Sequence, residues 1–415
     1  MKKILFIGPE VTDFLNPLAK KLKDLGYTVG LLENRKIPRK SSIISESYST
    51  VLDYTEISGK QIRISDIIKY LFKKELYDNW IKTIFINCLE GKCRIIKGFK
   101  NSLSNQNFKE RFSTILNKYD IINFHSISPG TLSFINCINR DKKIILSFWG
   151  SDLYQTSGLK NYYEQLRVVN RADVIAVLNY EMEKVVLSKF GYKLKNKIVH
   201  TALGIGDEIF DLMDNYKKER PDLNFLKKYN IPENKIIITV GYCGNLVCNH
   251  LLILDELEKI APKIKEKIHL LVPMTYGNYS AEYMNEVILS LNRIKISYTI
   301  FDKFLSLDEV AKLRVNSYIM IQMNKSDGFN TSIREALYAD NILISAVWLP
   351  YSLLRLENIF FYETDFAKLV ETVTFVLNNY EKIKNNLTDN SNKAKKLTVF
   401  SQNFQPWIRI FDSLK

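Results

Sequence analysis

Tyr318-Ile319-Met320-Ile321-Gln322-Met323, then Asn324-Lys325-Ser326-Asp327-Gly328-Phe329-Asn330-Thr331-Ser332, then Ile333-Arg334-Glu335-Ala336-Leu337 reads as a buried strand, a polar turn and the first turns of a helix. Two carboxylates, Asp327 and Glu335, bracket the seven residues between them. A helix N-terminus offers unpaired backbone N–H groups and the positive end of the helix dipole, which suit a diphosphate. A carboxylate one turn inside such a helix can accept hydrogen bonds from ribose hydroxyls, and one before the turn can reach the hydroxyls of a sugar. The geometry can therefore hold a sugar nucleotide. The plainer alternative is a solvated turn in which the acidic residues fall by chance.

Outward from this stretch the pattern of strand then helix repeats along the chain. In the first half, apolar or β-branched runs predict strands at Lys3–Gly8, Thr28–Leu32, Ile121–His125, Lys143–Phe148, Val174–Leu178 and Lys197–His200. Helices lie between them, one around Leu15, Leu18, Ala19, Leu22 and Leu25 that Gly26 ends, another over Glu181–Phe190. The stretch Asp207–Asn234, polar and carrying Pro221 and Pro232, reads as a join. A second set of strands follows at Ile236–Gly241, His269–Pro273, Ser297–Phe301, Ser317–Met323, Ile342–Ala346 and Asn358–Tyr362, with final helices over about Asp365–Lys396. Such alternation predicts doubly wound parallel sheets. The boundaries expected are 1–206, 207–396 and an amphipathic tail over 397–415 with Trp407, Ile410 and Phe411.

A chain of 415 residues exceeds what one core usually supports. Its 46% hydrophobic content excludes a disordered protein. No apolar run reaches the roughly 18–20 residues of a membrane span; the longest, Ile342–Leu354, is broken by Pro350. The apolar stretch near Met1 is too short for a signal peptide and reads as a first strand. Cys88, Cys93, Cys137, Cys243 and Cys248 lack zinc-type spacing and read as free thiols in a reducing cytoplasm. The net charge is +14, and residues 60–118 hold 13 Lys/Arg against 5 Asp/Glu. There Lys69, Lys73, Lys74, Lys82, Arg94, Lys97 and Lys100 mix with Tyr70, Leu71, Phe72, Trp80, Ile84 and Phe85. A basic helix with such a face can lie on an anionic membrane surface; the other reading is a solvated face over a core. No nucleic-acid-binding motif is present, so no nucleic-acid partner is expected.

The turn after the first strand, Gly8-Pro9-Glu10-Val11-Thr12, lacks the dinucleotide fingerprint, and Pro9 removes a donor that a phosphate would need. No P-loop, H-E-x-x-H or G-x-S-x-G occurs, and no two aspartates are separated by one residue. No metal and no cofactor are therefore expected, and the phosphates would be met by helix dipoles, backbone N–H groups and basic side chains. Phe148-Trp149-Gly150-Ser151-Asp152-Leu153-Tyr154 closes a predicted strand. Gly150 permits close approach of a ligand, while Ser151 and Asp152 can bind sugar hydroxyls or cap the next helix. His125 ends the preceding strand, where it could face a ligand or serve the structure.

Asp327 and Glu335 form the D/E-x7-E pattern of retaining glycosyltransferases, and the chain resembles family 4 of the two-Rossmann (GT-B) type. This resemblance implies an α/β fold of two Rossmann-like domains with a cleft between them, the tail packing back on the first. Family 4 enzymes commonly show H-G-x-D where Trp149-Gly150-Ser151-Asp152 stands, and the Trp149 substitution would suit a donor sugar lacking its 6-hydroxyl. The Arg and Lys that usually hold the diphosphate are missing from Thr239-Val240-Gly241-Tyr242-Cys243-Gly244-Asn245-Leu246-Val247-Cys248-Asn249-His250. That turn, with Val272-Pro273-Met274-Thr275-Tyr276-Gly277-Asn278, is similar to the family that moves 4-acetamido-4,6-dideoxygalactose from dTDP to a lipid-linked carrier. It shares G-x-x-G-x5-H, V-P-M-x-Y and W-G-x-D; residues 30–110 match neither family.

These resemblances imply a metal-independent hexosyltransferase of surface polysaccharide assembly. Its donor would be a UDP- or dTDP-linked sugar, deoxy or acetamido in kind, and its acceptor a glycan or lipid-linked carrier. Glu335 would hold the ribose, Phe329, Asn330, Thr331 and Ser332 the diphosphate, and Asp327 the sugar. Lys325 and Arg334 are the nearest cations to replace the missing pair, and Gly244, Asn245, His250 and Tyr276 would line the nucleotide pocket. Retention is favoured over inversion; an inverting reaction needs a base, for which His125 and Asp152 are the candidates. The expected location is cytoplasmic, peripheral at the inner face of the membrane through 60–118. The alternatives are a non-catalytic partner of the same fold that binds glycan and a GT-B nucleotide-sugar epimerase.

Overall fold

The computed structural model describes residues 2–8, 15–33, 46–58, 64–89, 95–128, 130–202, 204, 206–277, 279–387 and 389–414. The turn Pro9–Thr12 lies outside them, as do Lys60, Arg94, Cys93 and Asn278 and the side chains of Lys82, Phe85, Cys88 and Lys97. Two compact units divide the chain. The first comprises Met1–Val177, Val186–Val199 and Pro406–Lys415; the second comprises Leu178–Val185 and His200–Gln405.

In the first unit the strands are β1 (Lys3–Ile7), β2 (Thr28–Glu33), β3 (Thr50–Asp53), β4 (Ile121–His125), β5 (Lys143–Ser147), β6 (Val174–Val177) and β7 (Ile198–His200). They form one sheet in the order β3-β2-β1-β4-β5-β6-β7. The pairings β1–β2, β1–β4, β2–β3, β4–β5 and β5–β6 are parallel. Every residue of β4 and β6 is buried, the mark of strands covered on both faces by helices.

The second unit holds β8 (Ile236–Val240), β9 (Ile268–Pro273), β10 (Ser297–Phe301), β11 (Ile319–Gln322), β12 (Ile342–Ala346) and β13 (Tyr362–Thr364). Their order is β10-β9-β8-β11-β12-β13, and all five pairings are parallel. Both sheets thus reverse direction once, at β1/β4 and at β8/β11, as doubly wound Rossmann-like sheets do. Ligands of such sheets bind beyond the carboxyl ends of the strands at the reversal, which marks the residues after β4 and those after β8 and β11.

Three details differ from the sequence reading. The expected join at 207–234 folds into the helices Glu208–Lys217 and Leu223–Lys228, and the first buries Ile209, Phe210 and Met213 in the second unit's core. The strand expected at Asn358–Tyr362 lies at Tyr362–Thr364. β3 was not expected at all.

The segment Gln405–Ser413 is a helix whose Trp407, Ile410 and Phe411 are buried. Trp407 lies 5.7 Å from the His125 ring, and Phe411 sits beside Phe6 and Tyr27 at 6.3 and 6.4 Å between ring centroids. Tyr27 Oη donates to Asp412 at 2.7 Å, and Lys2 Nζ to the Leu414 carbonyl at 2.6 Å.

Candidate functional site

β11 ends at Gln322, and the turn that follows leads into the helix Thr331–Tyr338. Asp327 organises this turn. Its Oδ2 accepts from Phe329 N (3.1 Å), Asn330 N (2.9 Å), Asn330 Nδ2 (3.0 Å) and Tyr351 Oη (2.6 Å). Burial pushes the Asp327 carboxyl up from its ordinary value while the bonds from Tyr351 and Asn330 pull the other way. Phe329 takes the left-handed conformation at φ +72°, uncommon for a bulky side chain and held here by the Asp327 bonds on either side of it. Asn330 caps the helix, its Oδ1 accepting from Ile333 N at 3.0 Å. Among the described residues, Thr331 and Ser332 keep their amides as donors at the helix N-terminus.

The two cations expected here are placed differently. Lys325 is exposed, and its backbone N donates to the Val247 carbonyl, which joins the turn after β11 to the turn after β8. Arg334 is buried beneath the turn, with its guanidinium 5.4 Å from the Phe329 ring and Nε donating to the Asn330 carbonyl at 3.3 Å. Burial draws its pKa down to about 10, with Glu335 and Asp327 opposing, so it stays charged at neutral pH. A third cation was missed in the sequence. Arg314, in the last turn of the helix Leu307–Asn316, donates from Nε to Glu335 Oε2 at 3.0 Å. The two side chains are only 7% and 9% exposed.

The turn after β8 is tied to the turn after β9, with Gly244 N donating to the Tyr276 carbonyl at 2.7 Å. A Cβ on Gly244 would meet the Tyr279 ring at 2.3 Å, so this approach requires glycine. Asn245 accepts from Val247 N at 3.3 Å and starts a short 3-10 turn, and Tyr276 is half exposed. His250, by contrast, is fully buried under its turn. Nδ1 lies 3.1 Å from Tyr283 Oη, and burial draws the ring down to about 4, so it is neutral at pH 7. Cys243 and Cys248 are free, buried thiols with sulfurs 3.7 Å apart; their mutual hydrogen bond lowers the pKa of Cys243 and raises that of Cys248.

In the first unit Asp152 does for its loop what Asp327 does for the other. Oδ1 accepts from Trp149 N (2.9 Å) and Gly150 N (2.8 Å), and Oδ2 from Ile127 N (2.8 Å). Burial raises its pKa against the pull of those three donors. Gly150, at φ +126° and ψ −77°, turns the chain where a side chain would be strained. Trp149 is half buried and donates from Nε1 to His125 Nδ1 at 3.4 Å. His125 does not look outward. It is 1% exposed among Phe6, Trp149 and Trp407, and burial draws its pKa to about 3.

Among the described residues no group of three or more His, Cys, Asp or Glu is placed to hold a metal ion, and no helix is long and apolar enough to cross a membrane. In the basic stretch, Tyr70, Leu76, Phe112 and Leu116 are buried, while Ile68, Phe72 and Ile81 are exposed at 53%, 86% and 62%.

No family model matches the chain, and no curated protein matches it in sequence. Solved structures do match in fold. A glycosyltransferase from Rickettsia africae aligns over 100% of this chain and 98% of its own, with a TM-score of 0.69 at 14% identity. HepE of Anabaena, in complex with UDP and glucose, aligns over 100% of both chains with a TM-score of 0.67 at 11% identity. Sucrose-phosphate synthase from Thermosynechococcus elongatus covers 100% of this chain and 99% of its own, with a TM-score of 0.68 at 12% identity. The two Rossmann-like sheets match those of GT-B glycosyltransferases.

Proposed function

We propose that the protein is a glycosyltransferase that moves a hexose, deoxy or acetamido in kind, from a nucleoside diphosphate to a glycan or lipid-linked acceptor of surface polysaccharide. The observation that carries this reading is the strand–turn–helix after β11. Its capped N-terminus keeps the Thr331 and Ser332 amides as donors, Arg334 lies charged beneath it, and Glu335 is held in place one turn further on by Arg314. A diphosphate fits the amides and the dipole end. Glu335 has Oε1 left to accept a ribose hydroxyl. The transferred sugar would then lie on the Asp327 side of the turn, with Tyr276 and Asn245 toward the nucleotide. The diphosphate charge would be met without a metal ion, by the helix N-terminus and by Arg334. HepE binds UDP and glucose in the same fold, which supports a UDP- or dTDP-linked donor.

The environments of the two candidate bases support retention. His125 is enclosed and hard to protonate, and both oxygens of Asp152 are committed to backbone N–H groups. Without a base, the reaction relies on the leaving phosphate and on preorganised electrostatic stabilisation of an oxocarbenium-like centre. His125 then serves to orient Trp149, and His250 to support the turn after β8.

Purified protein should melt at a higher temperature with one of UDP, dTDP or GDP, and should slowly hydrolyse the corresponding nucleotide sugar. No shift with any of the three would sink the site. A shift without turnover would favour the non-catalytic partner. Exposed Ile68, Phe72 and Ile81, with Lys69, Lys73 and Lys74 between them, also suit an anionic bilayer, and this supports the reading of an enzyme peripheral at the inner face of a membrane. Phe72→Asp should weaken co-sedimentation with vesicles of anionic lipid and leave hydrolysis unchanged; equal binding by both proteins would refute this docking.

A further inference from the structure

The segment after β12 carries an aromatic side chain that the donor site as described leaves unused. Val347 and Trp348 are 54% and 43% exposed, a large apolar surface to leave in water. Trp348 is nevertheless fixed. Its Nε1 donates to the Asn324 carbonyl at 2.8 Å, and its ring packs on Phe366 with centroids 5.6 Å apart. Three residues on, buried Tyr351 donates to Asp327 at 2.6 Å. The segment is therefore pinned at two points to the turn that begins the candidate donor site, and the pins lie on the Asp327 side of that turn.

A second observation points to a polar ligand beside the indole. Asn324, whose carbonyl holds the tryptophan, is fully buried, yet among the described residues its Oδ1 and Nδ2 have no hydrogen-bond partner. Unpaired buried amides are costly and uncommon in folded proteins. A pyranose offers what this place lacks. One of its faces is a patch of C–H groups that stacks on an aromatic ring, and its edge carries hydroxyls that both donate and accept.

We propose that Trp348 is the platform on which the transferred sugar of the donor lies, with the Asn324 amide bonding that sugar's hydroxyls. This rests on the donor-site reading given above. A rigid indole, held before the ligand arrives, loses little freedom on binding. It also favours sugars whose stacked face is poor in hydroxyls, which includes deoxy sugars.

Calorimetry on three variants tests it, with UDP against UDP-glucose or dTDP against dTDP-glucose as probes, according to which nucleotide the wild type binds. Trp348→Ala should weaken the nucleotide sugar roughly tenfold, the upper range of an aromatic contact, and leave the free nucleotide unchanged. Trp348→Phe, which keeps a stacking face, should recover most of the loss. Trp348→Leu, which keeps apolar bulk without the face, should not recover it, and it replaces the alanine variant should that one fail to fold. Equal loss for nucleotide and nucleotide sugar would overturn the proposal, because the residue would then serve the nucleotide or the fold. No loss for either would overturn it as well. Wild type that binds none of the nucleotides would instead refute the donor site itself, an outcome visible before any Trp348 variant is made.

Discussion

Glu335→Ala should lower stability by about 3–5 kcal/mol, because it leaves the Arg314 guanidinium charged, buried and unpaired. For a unit of this size that is a fall in melting temperature on the order of 10 °C. The nucleotide-induced shift should vanish with it, but that loss alone would be ambiguous, since a disordered turn binds nothing. The paired replacement Arg314→Met with Glu335→Leu separates the two effects. A buried ion pair exchanged for apolar groups of similar volume is commonly neutral or stabilising. The double variant should therefore melt near the wild type and still fail to respond to nucleotide. A single variant that keeps the wild-type melting temperature would show that the pair is solvated in solution. A double variant that binds nucleotide normally would remove Glu335 from the ribose.

Trp407→Ala is expected to be as severe, at roughly 3–5 kcal/mol, the range for large buried aromatics. Trp407 is 1% exposed and closes the space over His125. The substitution would let water reach that ring, whose pKa burial holds down to about 3. A histidine kept neutral in the folded state binds fewer protons than the unfolded chain between pH 6.5 and about 3. Stability is therefore lost as pH falls through that window. His250 and His269, drawn to about 4, act in the same direction. In Trp407→Ala the His125 titration should move up toward its ordinary value, followed by NMR of the imidazole protons, and its share of the acid sensitivity should shrink. With 4 histidines in the chain the signals are few. An unchanged His125 titration would mean that other groups enclose it.

The strands were legible because most are β-branched runs of four to six residues that alternate with helical spacing, as in Ile121–His125 and Ile342–Ala346. Thr50–Asp53 was not, since it is short and only Asp53 among its residues is buried. The helix Glu208–Lys217 hid in a polar stretch because its buried face is just Ile209, Phe210 and Met213. The turn from Asp327 to Asn330 could be read from its own residues; the commitments of its side chains could not. Asp327 is bonded to Tyr351, 24 residues on, and Glu335 to Arg314, 21 residues back. Such pairings follow from which strands lie side by side, and no local pattern encodes them. His125 makes the same point. Strand parity fixes the side to which it points, but whether that side meets solvent is decided by a helix some 280 residues away in sequence.

That helix also sets the order of events during synthesis. β1 and β4 are made early, but the rings they present, Phe6 and His125, are covered by Phe411 and Trp407. All of the second unit is translated in between, which at ~5–20 residues per second takes on the order of 10–40 s. The half of the protein that leaves the ribosome first is thus the half completed last. The aromatic rings left bare on its central strands over that interval are a natural client for a chaperone, and a nascent chain stalled before Trp407 should be held by one where a chain released after Phe411 is not.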